Sequence, residues 1–256
     1  MSQYQPPMLE HLTWTEADDL LKLRPVGLLP IGAIEAHGPH LPLNSDVIIA
    51  TAMARYASYA LHNSAVPSLV LPPISYSVSY AGACFRGTSP VDAESFGAYL
   101  ASVLTNLVQQ GFRAICIANA HLEPAHVETV RAVAAQVGNE SGIPIAFPDQ
   151  RQEPHASRLG EEFQRGSRHA GRYETSIVLA EAPELVRRHQ LEELEPVWID
   201  LPAKLAAGAT NFAEAGAELG YFGDPGSASA EHGVELLAEL GIMIRDSVLQ
   251  ELARAT

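Results

Sequence analysis

At 256 residues the chain is long enough for one large domain with a full hydrophobic core. Its formal net charge of −14 comes from acidic residues spread along the sequence, which argues against nucleic acid or an anionic membrane as partner, since both need clustered Lys and Arg. Hydrophobic residues at 47% and charged residues at 18% are ordinary for a globular protein, and no apolar run approaches the roughly 20 residues of a membrane-spanning helix.

Cys84 and Cys116 cannot build a disulfide framework, and their apolar neighbours predict buried free thiols. Residues 1–14 lack the basic and apolar regions of a signal peptide, so the expected location is cytoplasmic. A short helix is predicted from Thr15, with Leu20, Leu21 and Leu23 facing inward and Pro25 stopping it. Val26 to Ile31 is a continuous apolar run, too short for a helix, and reads as a buried strand. It feeds a loop that holds Glu35, His37, His40 and Asp46 within twelve positions, punctuated by Gly38, Pro39 and Pro42. Imidazole and carboxylate in such density suit Zn²⁺, Mn²⁺ or Fe²⁺ better than Ca²⁺ or Mg²⁺. A helix follows from about Asp46 to His62, placing that carboxylate near a helix N-terminus, where the dipole favours its charged form.

Residues 68–71 are a second strand candidate. The Gly, Ser and Tyr segment 74–88 has neither periodicity and reads as a functional loop. Ser89 and Pro90 are expected to cap a helix whose apolar face is Phe96, Tyr99, Leu100, Val103, Leu104, Leu107 and Val108, closed by Gly111. Residues 113–119 form a strand buried on both sides that runs into His121 and Glu123. Pro124 opens the next helix, which carries Val127, Val130, Val133 and Val137 and is expected to end at Gly138. Residues 144–147 give a last short strand. Alternating strands and helices predict a parallel sheet with helices on both faces, and such sheets bind ligands beyond the carboxyl ends of their strands. Two strands here end in segments bearing His and a carboxylate, so both fall at one sheet edge.

Residues 149–168 are charged and irregular and read as a surface excursion or lid. His169 and Glu174 follow as a loop histidine and a helix-start carboxylate. Residues 201–223, rich in Ala and Gly, have no assignable chemistry. A final amphipathic helix carries Val234, Leu237, Leu240, Ile244, Val248 and Leu252. No linker or repeat interrupts residues 1–256, so one domain is expected. Serine-hydrolase, P-loop, nicotinamide and HExxH motifs are all missing from the sequence.

Residues 32–46, GAIEAHGPHLPLNSD, resemble the block G-S/A-x-E-Q/A-H-G-P-H-L-P-L-x-x-D of the creatininase (creatinine amidohydrolase) family. Asn119 to Glu123 resembles its N-G/A-H-x-E block, residues 169–176 its H-A-G-x-x-E-T-S block, and residues 85–88 its F-x-G-T. The four occur in family order. The resemblance implies a three-layer α-β-α sandwich with a mainly parallel central sheet, usually assembled as a homohexamer. It also implies a centre of two divalent ions, Zn²⁺ or Mn²⁺ being usual. Carried over, Glu35 and His121 bind one ion, His37 binds the other, and Asp46 bridges. The last ligand is Glu174 or Glu123; with Glu174 on the metal, Glu123 is the candidate general base. His169 resembles the family's catalytic histidine, placed to protonate the leaving nitrogen, and Ser79 resembles a substrate-contacting serine.

The implied activity is hydrolysis of a non-peptide C–N bond in a small cyclic amide or formamide. Creatininase closes over creatinine with loop tryptophans, whereas Trp14 and Trp198 lie in none of the blocks. Positions 81 and 82, Glu-His in many relatives, are Ala81 and Gly82. Both departures argue against creatinine itself. A second reading is a peptidase trimming a modified peptide precursor, which an open, acid-lined cleft at residues 149–168 would favour. A third is a non-catalytic, metal-stabilised assembly protein.

Overall fold

The computed structural model describes residues 4–166 and 168–254, so positions 1–3 of the N-terminal reading and Ser167 of the 149–168 excursion lie outside the described residues. Four strands, β1 (Val26–Ile31), β2 (Ser68–Val70), β3 (Ala114–Asn119) and β4 (Ile145–Ala146), form one sheet in the order β2-β1-β3-β4. Every pairing is parallel, and Val26 to Ile31 lies against Ala114 to Asn119 without a break in register. The two central strands therefore end level, at Ile31 and Asn119, which delivers the segments that follow them to one edge of the sheet.

Helices cover both faces. On one side lie α3 (Ala93–Gln109) and α4 (Pro124–Ser141), meeting Leu29, Ile31, Ile115 and Ile117 of the sheet. On the other lie α2 (Ser45–Asn63), α6 (Arg172–Glu181) and α10 (Ala230–Arg254). The β3 residues toward this second layer are small (Ala114, Cys116 and Ala118), and the period-2 alternation of the strand thus puts bulk on one face only. Room is left for α10, whose Gly233 lies so close to α6 that an added Cβ would sit 2.0 Å from the Ser176 carbonyl oxygen. The predicted three-layer α-β-α sandwich is the fold observed.

Some boundaries differ from expectation. The first helix, α1 (Trp14–Leu21), starts one residue earlier because Thr13 and Glu16 form a capping box, and Leu23 is 61% exposed rather than inward. Asp92, not Ser89-Pro90, caps α3, its carboxylate accepting from Ser95 N at 2.9 Å. Ser89 N and Val91 N are instead engaged by Ile34 O and Ser77 O, tying this stretch to the site loops. Tyr99 and Val234 point outward at 54% and 42% exposure. Gly138 lies inside α4, which closes at the left-handed Gly142 (φ 69°). Cys116 is buried but Cys84 is exposed, because the irregular loop after Ile74 carries it to the surface.

Short helices fill the remaining segments: α5 (Glu161–Gln164) within the excursion, α7 (Arg188–Glu192), α8 (Leu201–Ala206) and α9 (Phe212–Ala215). Among the described residues no helix is long and apolar enough to cross a membrane.

A carboxylate and imidazole centre at the carboxyl edge of the sheet

Glu35 and His37 leave β1, Asp46 sits in the first turn of α2, His121 leaves β3, and Glu174 sits in the first turn of α6. All five are essentially removed from solvent. Donor atoms of Glu35, Asp46 and His121 lie within 4.8 Å of one another, and those of His37, Asp46 and Glu174 do the same. Asp46 belongs to both groups: Oδ1 is 3.2 Å from His37 Nε2, and Oδ2 is 3.0 Å from His121 Nδ1. Glu35, His37 and His169 form a third group on the same terms.

The outer nitrogens of both imidazoles face backbone carbonyls, His37 Nδ1 at 3.0 Å from Glu35 O and His121 Nε2 at 2.8 Å from Val78 O. A carbonyl only accepts, so these contacts make the outer nitrogens donors and leave the inner nitrogens' lone pairs free toward Asp46 when the rings are neutral, as metal-binding histidines require. Glu35 Oε2 and Asp46 Oδ2 are buried with no hydrogen-bond partner among the described residues, although His121 Nδ1 lies 3.3 and 3.0 Å away. Close approach without hydrogen-bond alignment is the signature of donors aimed at a common point. Each donor group could hold a divalent cation.

Without a cation the centre is held by its own charges. Burial works against the charge of His37, but Asp46, Glu174 and Glu35 outweigh it and raise its pKa to about 10. His121 is likewise raised well above its usual value, burial again being overcome by Glu35 and Asp46. Burial pushes Asp46 and Glu35 up, yet the surrounding imidazoles leave both below the usual carboxylate range. Glu174 is raised to about 8 by burial, only partly offset by His37.

His169 and Glu174 share a turn through Ala170, which is left-handed (φ 52°) and donates its N–H to Glu174 Oε2 at 2.6 Å. His169 Nε2 is 2.8 Å from Ala36 O, and Nδ1 is 3.8 Å from Glu35 Oε2. Its ring packs between His37 and Phe212, each 4.4 Å away by centroid, and burial together with His37 lowers its pKa to about 4. Glu123 is in none of the three groups; its two oxygens accept from Tyr80 N and Ala81 N at 3.0 Å each, pinning the 74–88 loop. Thr88 of that loop accepts from Ala36 N at 3.0 Å.

Ser79, predicted to touch substrate, is fully buried and donates to Glu35 Oε1 at 2.9 Å, so it orients that carboxylate. Gly82 explains one departure from the relatives: a Cβ there would lie 2.7 Å from Glu35 Cγ and Oε1. His40 stands apart from the centre, its Nε2 2.9 Å from Thr175 Oγ1, with its pKa lowered to about 4 by burial and His37.

Above the centre opens a cavity of about 740 Å³ lined by Glu35, Asp46, His121, Glu123, His169 and Glu174 at its floor. Away from the floor, Arg151, Arg165 and Arg168 line it together with a single carboxylate, Asp200. Residues 149–168, read as a surface excursion or lid, thus present a mainly basic side to the cavity and not the acid-lined cleft that would have favoured the peptidase reading, because Asp149 pairs with Arg131 and Arg151. Phe212 and Phe222 also line the cavity and were not foreseen. The only sequence hint was their place in a segment without periodicity, which says nothing about distance from His169.

Buried carboxylates and imidazoles converging at the carboxyl edge of a parallel sheet define a parallel α/β protein with a candidate metal centre. The family described as creatinine amidohydrolase (Creatininase) matches residues 10–246. A mycofactocin precursor peptide peptidase of Mycobacterium ulcerans (strain Agy99) is 30% identical over 262 residues, covering 98% of this chain and 93% of that protein. The creatinine amidohydrolase of Pseudomonas putida is 26% identical over 190 residues, covering 68% and 72%. In fold, a mutant creatininase of Zn-Zn type superposes with a TM-score of 0.76 at 22% identity, covering 97% and 99%. The chain belongs to the creatininase family and is a hydrolase acting on C–N bonds.

Proposed function

We propose that this chain is a dinuclear metal-dependent amidohydrolase whose substrate is a peptide. The observation that carries the metal reading is the pair of donor groups that share Asp46. In this reading Glu35, Asp46 and His121 hold one divalent ion, and His37, Asp46 and Glu174 the other, with Zn²⁺ or Mn²⁺ the expected occupants and Fe²⁺ a third fit to the same donors. Bound there, two cations lower the pKa of water toward neutrality and polarise a carbonyl. The chain supplies the proton path. Glu123, oriented by two backbone N–H groups on the cavity wall, takes the proton of the attacking water. His169, neutral and anchored through Nε2 on Ala36 O, accepts at Nδ1 the proton that Glu123 has taken and hands it on to the departing nitrogen.

One observation favours a peptide over a small ring: the relative matched over 98% of this chain is named a precursor peptide peptidase. The cavity of about 740 Å³ lies within the usual range for small-molecule sites and has room for either. A cyclic amide or formamide hydrolase is the competing reading. Incubating the metal-loaded enzyme with a library of short peptides and a panel of cyclic amides and formamides, read by mass spectrometry, separates them. Cleavage confined to the small amides overturns the peptide substrate, and cleavage that survives complete metal removal overturns the metal reading. The homo-oligomer, expected as a hexamer in the cytoplasm, is part of the same proposal and is read by light scattering.

A further inference from the structure

The basic wall of the cavity is out of character for the chain, which has 16 Lys and Arg against 30 Asp and Glu. Its three arginines are not equivalent. Arg151 is committed to Asp149, with Nε 2.9 Å from Oδ1 and Nη2 2.8 Å from Oδ2. Arg131 takes the same Oδ2 at 3.0 Å, so that carboxylate already serves two guanidinium groups. Arg165 reaches Glu161 at 3.3 Å where both are exposed, a pair of little strength.

Arg168 is different. It is half-buried, its Nε donates to Phe163 O at 2.8 Å, and its guanidinium lies 4.8 Å from the Phe163 ring centroid. These contacts fix the fork in place but supply no negative charge. No carboxylate among the described residues forms an ion pair with it and its two terminal nitrogens have no acceptor among them; Asp149, already shared by two guanidinium groups, attracts it only at longer range, and Arg151 repels it. The next residue is His169, so the open end of a fixed guanidinium fork and the floor of the cavity belong to one short piece of chain. A half-buried arginine, anchored at Nε and free of any ion pair beside the cavity floor, suits a planar oxyanion, which the fork meets with two parallel hydrogen bonds.

We propose that Arg168 receives a carboxylate of the peptide substrate and so selects peptides that present one over otherwise identical peptides that do not. This rests on the hydrolase reading above and adds the substrate's charge to it. The carboxylate belongs either to the peptide C-terminus or to an acidic side chain, and both present the same group.

The test uses metal-loaded enzyme and two matched pairs of acetylated tripeptides. One pair is Ala-Ala-Ala as free acid and as carboxamide; the other is Ala-Glu-Ala and Ala-Gln-Ala, both as carboxamides. Equilibrium binding is read by calorimetry, with the Arg168→Gln and Arg168→Lys variants alongside. In one pair the acid is expected to bind about ten- to a hundredfold tighter than its neutral partner, the span of a charge-assisted hydrogen bond, and that pair identifies the source. Arg168→Gln should erase the preference with metal content and carboxamide affinity unchanged. Arg168→Lys, which keeps the charge but loses the fork, should retain part of it. No preference in either pair, or one undiminished in both variants because the acid is held elsewhere, overturns the proposal. Should Arg168→Gln not fold, full retention of the preference in Arg168→Lys overturns it, and partial loss upholds it. Binding is read without turnover. A preference without cleavage therefore defeats the peptidase reading alone, and cleavage without a preference defeats this one alone.

Discussion

The floor and the outer wall of the cavity are built on opposite plans. Four of the donors at or beneath the floor are each held by a neighbour outside the donor groups or by backbone: His37 by Glu35 O, His121 by Val78 O, Glu174 by Ala170 N and Glu35 by Ser79. The wall has one firmly paired arginine, one exposed pair and one guanidinium without an anion. Preorganised donors suit chemistry that is the same for every substrate, because they need no reorganisation during reaction. An unsatisfied cation suits recognition, because its partner arrives with the substrate.

That contrast breaks first at Asp46. Asp46→Asn removes the one residue common to both donor groups, and amide hydrolysis should fall to background with less than two ions retained per chain, measured by turnover and by metal analysis. In the metal-free protein the same change strands His37 and His121, and a denaturant melt should show a loss of about 3–5 kcal/mol, the cost of breaking a buried pair. If the Asp46→Asn enzyme still binds two ions and turns over, the floor is not the reaction centre. Next, His169→Ala should lower kcat by about 10²–10⁴-fold while metal content stays fixed, the scale of a lost proton-transfer group. Loss of metal in that variant would instead make His169 a ligand with Glu35 and His37.

The protonation of the floor gives an intermediate effect. With pKa raised to about 10, His37 is charged in the metal-free protein at neutral pH, as is His121. A cation must displace those protons, so apparent metal affinity should rise by up to about tenfold per pH unit for each proton released. Calorimetry in buffers of different ionisation enthalpy counts them, and finding none released refutes the charge assignment. For stability the sign is opposite. The raised pKa of His37 stabilises the metal-free fold fully below about 6.5, and that contribution disappears as pH passes about 10. Smaller again is Ser79→Ala, which leaves Glu35 without its orienting hydroxyl and should weaken metal binding by about 10–100-fold. An unchanged affinity accompanied by a raised KM would return Ser79 to the substrate.

What could be read in advance followed the same division. The central strands, the helices after them and the ligand-bearing turns were legible because their signals are local: an apolar run, a 3.6-residue period, a proline at a helix start. Residues 32–46 carry three of the floor's donors in one unbroken piece, so a short span of sequence displays them together. Whether Glu174 or Glu123 joins them depends on a left-handed Ala170 and on backbone N–H groups of a loop 43 positions from Glu123, neither of which has a periodicity. The N-cap of α3 moved to Asp92 for a related reason, since Ser89 and Val91 were claimed by segments distant in the chain.

By itself the sequence determined the layered parallel fold, the edge at which chemistry occurs and most of the centre's donors, because alternation and register bring successive strand ends to one line. Only the tertiary structure decided that Ser79 donates to Glu35, that His40 stands aside, that Phe212 packs on His169 and that Arg168 is left without an ion pair. Those outcomes depend on which side chains remain unpaired after packing. Pairing across a cavity is fixed by distances between elements far apart in the chain, which no local pattern encodes.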